Sequence, residues 1–158
     1  VLRKKTAKLF AVSAECGALA GGASYETAKE LGIAWETIGI AFQIRDDLLN
    51  VVGDEKKYGK RIGEDIAEGK PTLLLINCLE QAEEEEKEKI YDCFHNYDKQ
   101  KIDEVVTLFR KYGSIDYSEE IAMRYLRRGT DRIREIEGKE EVKERMVSLA
   151  NYFMERER

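Results

Sequence analysis

From about Tyr25 to Val52 the chain carries apolar residues at helical spacing with no proline, a pattern that calls for one helix, long for a globular protein. Gly32 and Gly39 lie seven residues apart in it, on nearly one face. Each costs roughly 1 kcal/mol of helix stability relative to alanine, so a neighbouring helix is expected to come close there. Toward its C-terminal end, Gln43, Asp46, Asp47 and Asn50 follow at spacings of three and four and form one polar stripe. Ile40, Phe42, Ile44, Leu48, Leu49, Val51 and Val52 occupy much of the remaining surface. On an ordinary surface helix such a stripe marks solvent contact, because carboxylates are rarely buried. With apolar residues on both sides of it, the stripe is expected to face a wet cavity between helices.

Helical periodicity dominates the rest of the chain, and no strand pair is found. A first helix is predicted over residues 3–20, closed by Gly21 and Gly22, with Ser24 as N-cap of the long one. Residues 53–70 read as a loop punctuated by Gly53, Gly59, Gly63 and Gly69, of a length that tends to be functional. Pro71, the sole proline, suits the first turn of a helix backed by Leu73, Leu74 and Ile76. The acidic run Glu83 to Glu86 marks a solvated turn or helix start. Further helices are predicted at 86–95, 101–112, 115–137 and 139–156, the last with Val142, Met146, Leu149 and Phe153 as its apolar stripe. Without repeats or low-complexity linkers, residues 1–158 are expected to form a single all-α domain.

Composition narrows the function. Hydrophobic residues make up 42%, which is globular, and charged residues 37%. The net charge of -5 and the scatter of basic residues give no footprint for nucleic acid. No apolar run approaches the roughly 18 residues of a membrane span, and no signal peptide is visible. Cys16, Cys78 and Cys93 form no C-x-x-C pair and are expected to be reduced core residues, with no structural zinc. These features predict a cytoplasmic protein. His95, the one histidine, has no neighbour in sequence fit to partner it and reads as structural.

The chemistry lies in the stripe and the loop that follows. Asp46 and Asp47 offer hard oxygen ligands, and Lys60 and Lys70 offer ammonium groups. Carboxylates on a helix facing lysines on a loop suit a magnesium-bound diphosphate: the carboxylates hold the metal, and the lysines neutralise the phosphate oxygens it leaves uncovered. Taken singly, each lysine is an ordinary surface charge, and Thr6 an ordinary helix-start residue.

FQIRDDLLN resembles the second aspartate-rich motif of the trans-isoprenyl diphosphate synthases (polyprenyl synthetases), and the following GDEKKYGKRIGEDIAEGKPT resembles their G-K-x-x-G-x-D-x-x-x-G-K loop. Lys5-Thr6-Ala7 with LFAVSAECGALAGG, and the ending SLANYFMERER, are similar to further segments of that family, so the resemblance covers nearly the whole chain. It implies an antiparallel helical bundle of the isoprenoid-synthase type, here its C-terminal half, and an enzyme that joins isopentenyl diphosphate to an allylic diphosphate with release of pyrophosphate. Asp46 is then expected to ligate Mg2+, with Asp47 beside it as ligand or anchor, Asn50 in the last place of the motif, and Asp65 as an outer-shell residue. Lys5, Gln43, Lys60 and Lys70 are expected to hold the allylic diphosphate. Thr6 and Gln43 are expected to turn oxygen atoms toward the developing carbocation.

Two departures stand out. The motif ends in Asn50 where the family usually has aspartate, which keeps a carbonyl oxygen but loses a charge. The family's first aspartate-rich motif and its isopentenyl diphosphate-binding residues belong upstream of Lys5, where the chain has four residues. The expectation is therefore a C-terminal portion of a longer synthase, or one chain of a split or clipped one. It would act as a homodimer or with the missing N-terminal half. The alternative is a non-catalytic partner subunit that completes or regulates a synthase. A terpene cyclase shares the helical fold but usually has a different second metal motif, with serine or threonine and glutamate, which helix 43–50 lacks. Product length is set largely upstream of the first motif and is not legible here.

Overall fold

The computed structural model describes residues 6–53, 61–95 and 97–155. The described residues contain helices and turns and no strand, as the periodicity predicts. The helices are α1 (Lys8–Ala20), α2 (Tyr25–Val52), α3 (Glu64–Ala67), α4 (Leu73–Gln81), α5 (Glu84–Tyr91), α6 (Lys99–Lys111), α7 (Ser114–Glu135) and α8 (Glu140–Glu155). The chain divides into two compact units, Val1–Arg45 with Ile121–Arg156, and Asp46–Glu120 with Glu157–Arg158.

In the first unit the glycines of α2 explain how α1 packs. A Cβ added at Gly39 would lie 2.8 Å from Ala7 Cα and 3.2 Å from Phe10 Cβ. One at Gly32 would lie 3.3 Å from the Ala11 carbonyl oxygen. Both glycines therefore let two backbones touch. On another face of α2, a Cβ at Gly129 of α7 would meet Ile38 Cγ1 at 2.5 Å. Ser24 caps α2, its Oγ accepting from the Thr27 amide at 3.1 Å. Around these contacts Leu31, Ala34, Trp35, Ile38, Leu126, Ile133, Val147 and Ala150 are buried, with Phe10 and Phe153 packed against them. The Phe10 and Phe42 rings lie 5.3 Å apart, and Phe153 meets Phe42 edge-on at 5.6 Å.

The predicted stripe on α8 holds at Met146 and Phe153, which pack against the core, and is corrected at its other two members. Val147 and Ala150 fill the core, while Val142 and Leu149 remain 44% and 45% exposed. They line an apolar groove of about 930 Å³ together with Leu9, Phe10 and Met146. Cys16, expected in the core, is exposed on α1, whereas Cys78 and Cys93 are buried as expected. Burial pushes the Cys78 thiol up to about 11.

In the second unit α6 packs against α4 and α5. Ile102, Val105, Val106 and Phe109 turn inward, as do Leu74, Leu75, Cys78 and Ile90. Pro71 does not open α4: Thr72 takes the N-cap and its hydroxyl accepts from the Leu75 amide at 3.2 Å, which puts the proline one residue before the cap. The acidic run does start a helix. Glu86 accepts from the Glu83 amide at 3.3 Å and also clamps the end of α6, taking hydrogen bonds from Lys111 Nζ at 2.6 Å and from the Tyr112 hydroxyl. The Lys111 and then the Tyr112 hydrogen bonds pull the Glu86 carboxyl down to about 2.

The tight α1–α2 contact predicts opposite outcomes at two glycines. Gly39→Ala gains about 1 kcal/mol of helix propensity but forces apart backbone atoms that cannot yield, which costs roughly 1–3 kcal/mol. Gly17→Ala meets nothing within 4 Å and should be stabilising. Urea unfolding followed by circular dichroism should rank the variants G17A, parent, G39A in falling stability; G39A at or above the parent would refute the packing account. The Glu86 clamp predicts an acid limb. A carboxyl lowered from 4.5 to about 2 lends stability above pH 4.5 that fades as the pH falls through 2. Glu86→Gln should therefore flatten the pH dependence of unfolding in that window and leave it unaltered between pH 6 and 8.

Candidate functional site

Helix α2 carries the polar stripe, and its last turns meet the loop that returns through residues 61–70. Asp46 is half-buried, and Asp47 and Asn50 are only 5% and 2% exposed. Burial of such groups is costly unless they are hydrogen-bonded, and Asn50 is fully engaged. Its Oδ1 accepts from the Asp65 amide at 3.0 Å, and its Nδ2 donates to the Arg61 carbonyl at 3.4 Å. Its own carbonyl accepts from the Gly63 amide at 2.7 Å.

The stretch expected to be unstructured thus contains α3, a single helical turn held against α2. Gly63 enters it at φ 82°, where a Cβ would also lie 2.3 Å from Ile102 Cγ2. Gly69 leaves it at φ 62° beneath the Phe94 ring. Tyr97 fastens the loop from the other side. Its hydroxyl donates to the Ile62 carbonyl at 3.0 Å, and the Arg61 guanidinium lies 5.5 Å above its ring. His95, read as structural, donates its amide to the Ala67 carbonyl at 2.6 Å from a left-handed backbone.

The loop sets Lys70. Its ammonium bridges Asp65 and Glu68, the latter at 2.9 Å. Burial pulls its pKa down, but the hydrogen bonds to Asp65 and Glu68 outweigh that and hold the proton more tightly than in a free lysine. In the first unit the Thr6 hydroxyl donates to Gln43 Oε1, which orients both side chains at the N-terminal end of α1. The structure therefore brings Asn50, Asp65 and Lys70 together in the second unit, and Thr6 and Gln43 together in the first. Lys5 and Lys60 lie outside the described residues.

Glu68 and Tyr97 were not singled out from sequence. Glu68 stands two residues before Lys70, a spacing with no periodic signature, and Tyr97 sits 35 residues after its partner Ile62. Among the described residues, no three of His, Cys, Asp and Glu cluster in a metal-ligating arrangement. Asp46 and Asp47 supply two adjacent hard-oxygen donors, which fits part of the ligand set of an oxygen-loving divalent cation and leaves its other positions to water, substrate or further carboxylates.

A family model described as polyprenyl synthetase matches residues 1–112. The chain belongs to that family. Among its relatives, a short chain isoprenyl diphosphate synthase of Methanothermobacter thermautotrophicus is 36% identical over 157 residues, 99% of this chain and 48% of that protein. The crystal structure of geranylgeranyl pyrophosphate synthetase from Pyrococcus horikoshii is similar at a TM-score of 0.86 and 36% identity, over 98% of this chain and 47% of its own. A polyprenyl synthase from Caulobacter crescentus, complexed with calcium and isoprenyl diphosphate, is similar at a TM-score of 0.86 and 25% identity over 99% and 48%. This chain thus spans about half the length of the relatives it matches, and its all-α fold is theirs.

The Lys70 bridge predicts an alkaline signature. A lysine raised above its ordinary 10.5 lends stability that is complete below that pH and lost as the pH climbs through the folded value. Lys70→Gln should lower the unfolding midpoint equally at pH 6 and pH 9, with the gap closing only above about pH 10.5. A gap that closes between pH 6 and 9 would show that another group titrates there.

Proposed function

We propose that this chain is the pyrophosphate-binding portion of a trans-prenyltransferase. The enzyme condenses isopentenyl diphosphate with an allylic diphosphate and releases pyrophosphate. The observation that carries the reading is the family match across nearly the whole chain, coupled to a carboxylate pair on α2 followed by a loop pinned to that helix. The physical task is to stabilise a departing pyrophosphate and to keep water from an allylic cation.

Asp46 and Asp47 would hold Mg2+, which when bound supplies charge neutralisation for the leaving group. The Caulobacter crescentus neighbour is complexed with calcium and isoprenyl diphosphate, which supports use of a hard divalent cation together with a diphosphate. Lys70, with Lys5 and Lys60, binds the diphosphate oxygens; a point charge on a flexible stem can follow a leaving group through several geometries. Thr6 commits its hydroxyl proton to Gln43, so it presents lone pairs, which suits a neighbour of positive carbon. Asp65 and Glu68 hold the Lys70 ammonium.

The groove beside α1 and α8 is lined largely by apolar side chains, a surface that monomers rarely expose. That supports assembly with further helices, either an N-terminal portion carrying the first aspartate-rich motif or a second copy in a homodimer. The same observation favours a second reading, a partner subunit that completes a synthase made by another chain. No helix among the described residues is long and apolar enough to cross a membrane, and reduced cysteines fit a cytoplasmic setting.

The test is prenyltransfer by the complete enzyme. Asp46→Ala should lower turnover roughly 10³-fold, since it removes charge from the leaving-group site. Activity within tenfold of the parent would sink the assignment. Calorimetric titration of this chain with pyrophosphate in millimolar magnesium gives a readout free of turnover: magnesium-dependent binding is expected, and its absence counts against the site.

A further inference from the structure

Asn50 occupies the last place of the aspartate-rich motif, where the family resemblance leads one to expect a metal ligand. Its surroundings assign it another task. The side chain is 2% exposed, and both ends of its amide face loop backbone: Oδ1 takes the Asp65 N–H at 3.0 Å and Nδ2 gives to the Arg61 carbonyl at 3.4 Å. An aspartate there could accept from Asp65 but could not donate to Arg61, and it would set a buried carboxylate against a carbonyl oxygen and one turn from buried Asp47. Asparagine is the side chain of this size that satisfies a donor and an acceptor together.

We infer that Asn50 is a positioning residue: its amide clips the 61–65 backbone to α2 and thereby holds the Asp65–Lys70 pair where Lys70 meets the diphosphate. Two connections carry the effect. The amide that Asn50 captures belongs to Asp65, and the Asp65 carboxylate is one of two that hold the Lys70 ammonium. The Gly63 amide, bonded to the Asn50 carbonyl at 2.7 Å, fixes the register of the same turn. Tyr97 anchors the neighbouring carbonyl of Ile62 at 3.0 Å, so the clip acts on a strand of backbone already tethered at one point.

The role of Lys70 in diphosphate binding rests on the proposed function, and the experiment keeps the two separable. N50A and N50D are compared with the parent in two measurements on this chain. The first needs no ligand: amide hydrogen exchange across residues 61–70. Both variants should exchange there at least tenfold faster than the parent, with α1 and α8 unaltered as a control on folding. The second is titration with magnesium pyrophosphate, including K70Q and the double variant N50A/K70Q. Loss of Asn50 should weaken binding about tenfold in the parent and leave it within twofold in the K70Q background, because its effect passes through Lys70.

Three results would overturn the inference. The first is exchange at 61–70 unchanged by both substitutions. The second is a loss of affinity that is fully retained in the K70Q background. The third is an N50D variant that needs less magnesium than the parent, which would make position 50 a ligand. Failure of the parent to bind magnesium pyrophosphate would count against the site reading instead, and exchange alone would then decide the clip.

Discussion

The approach of α1 to α2 at Gly39 governs the first unit. With a would-be Cβ only 2.8 Å from Ala7 Cα, neither backbone has room to slide, so Ala7 is held in register with one point on α2. Gln43 lies one helical turn beyond Gly39 on the same face, and Thr6 lies one residue before Ala7. The Thr6–Gln43 hydrogen bond follows from that register. Thr6 and Ala7 are themselves helical, and the backbone contact at Gly39 holds that turn against α2.

In the second unit the corresponding constraint is polar. α2 ends in Asp47 and Asn50, two groups that a buried helix end tolerates only if each is paired. Asn50 resolves this by using the backbone of the returning loop, and the loop gains in exchange a helical turn too short to form alone. Gly63 serves both demands, since its positive φ turns the chain and its missing side chain lets Ile102 of α6 sit beneath it. Local order in the loop therefore comes from residues far away in sequence, at positions 50, 97 and 102.

That distance decides what could be read beforehand. The long helix was legible to its ends at Tyr25 and Val52, because periodicity, the Ser24 cap and Gly53 all agree. So was the need for a close neighbour at Gly32 and Gly39. α3 was not, since four residues carry no period and their caps come from elsewhere. The α8 stripe was legible at Met146 and Phe153 and misplaced at its other two members for a different reason. Val142 and Leu149 are as apolar as Val147 and sit at helical spacing, and a pattern alone does not tell a core face from a groove wall. Cys16 misled through composition, an apolar residue type in an alanine-rich helix whose outer face is open. At the site, residue types marked Asp46, Asp47 and Lys70 as candidates and the family resemblance added Asp65, but the pairing of Lys70 with Glu68 and the double use of the Asn50 amide needed coordinates.

The pairing of Lys70 bears on how an anion could enter. The ammonium already interacts with two carboxylates, and Asp46 and Asp47 add further negative charge within the same unit. A diphosphate approaching this surface unaccompanied would meet like charge and would have to take Lys70 from Asp65 and Glu68 unaided. On the proposed reading, a divalent cation on the Asp46–Asp47 pair would offset the charge of that pair and lessen the repulsion. That reading therefore has cation and diphosphate binding together, the one lowering the electrostatic cost of the other. On the same reading, the position of the loop, and with it the clip proposed at Asn50, bears on affinity as well as on fold.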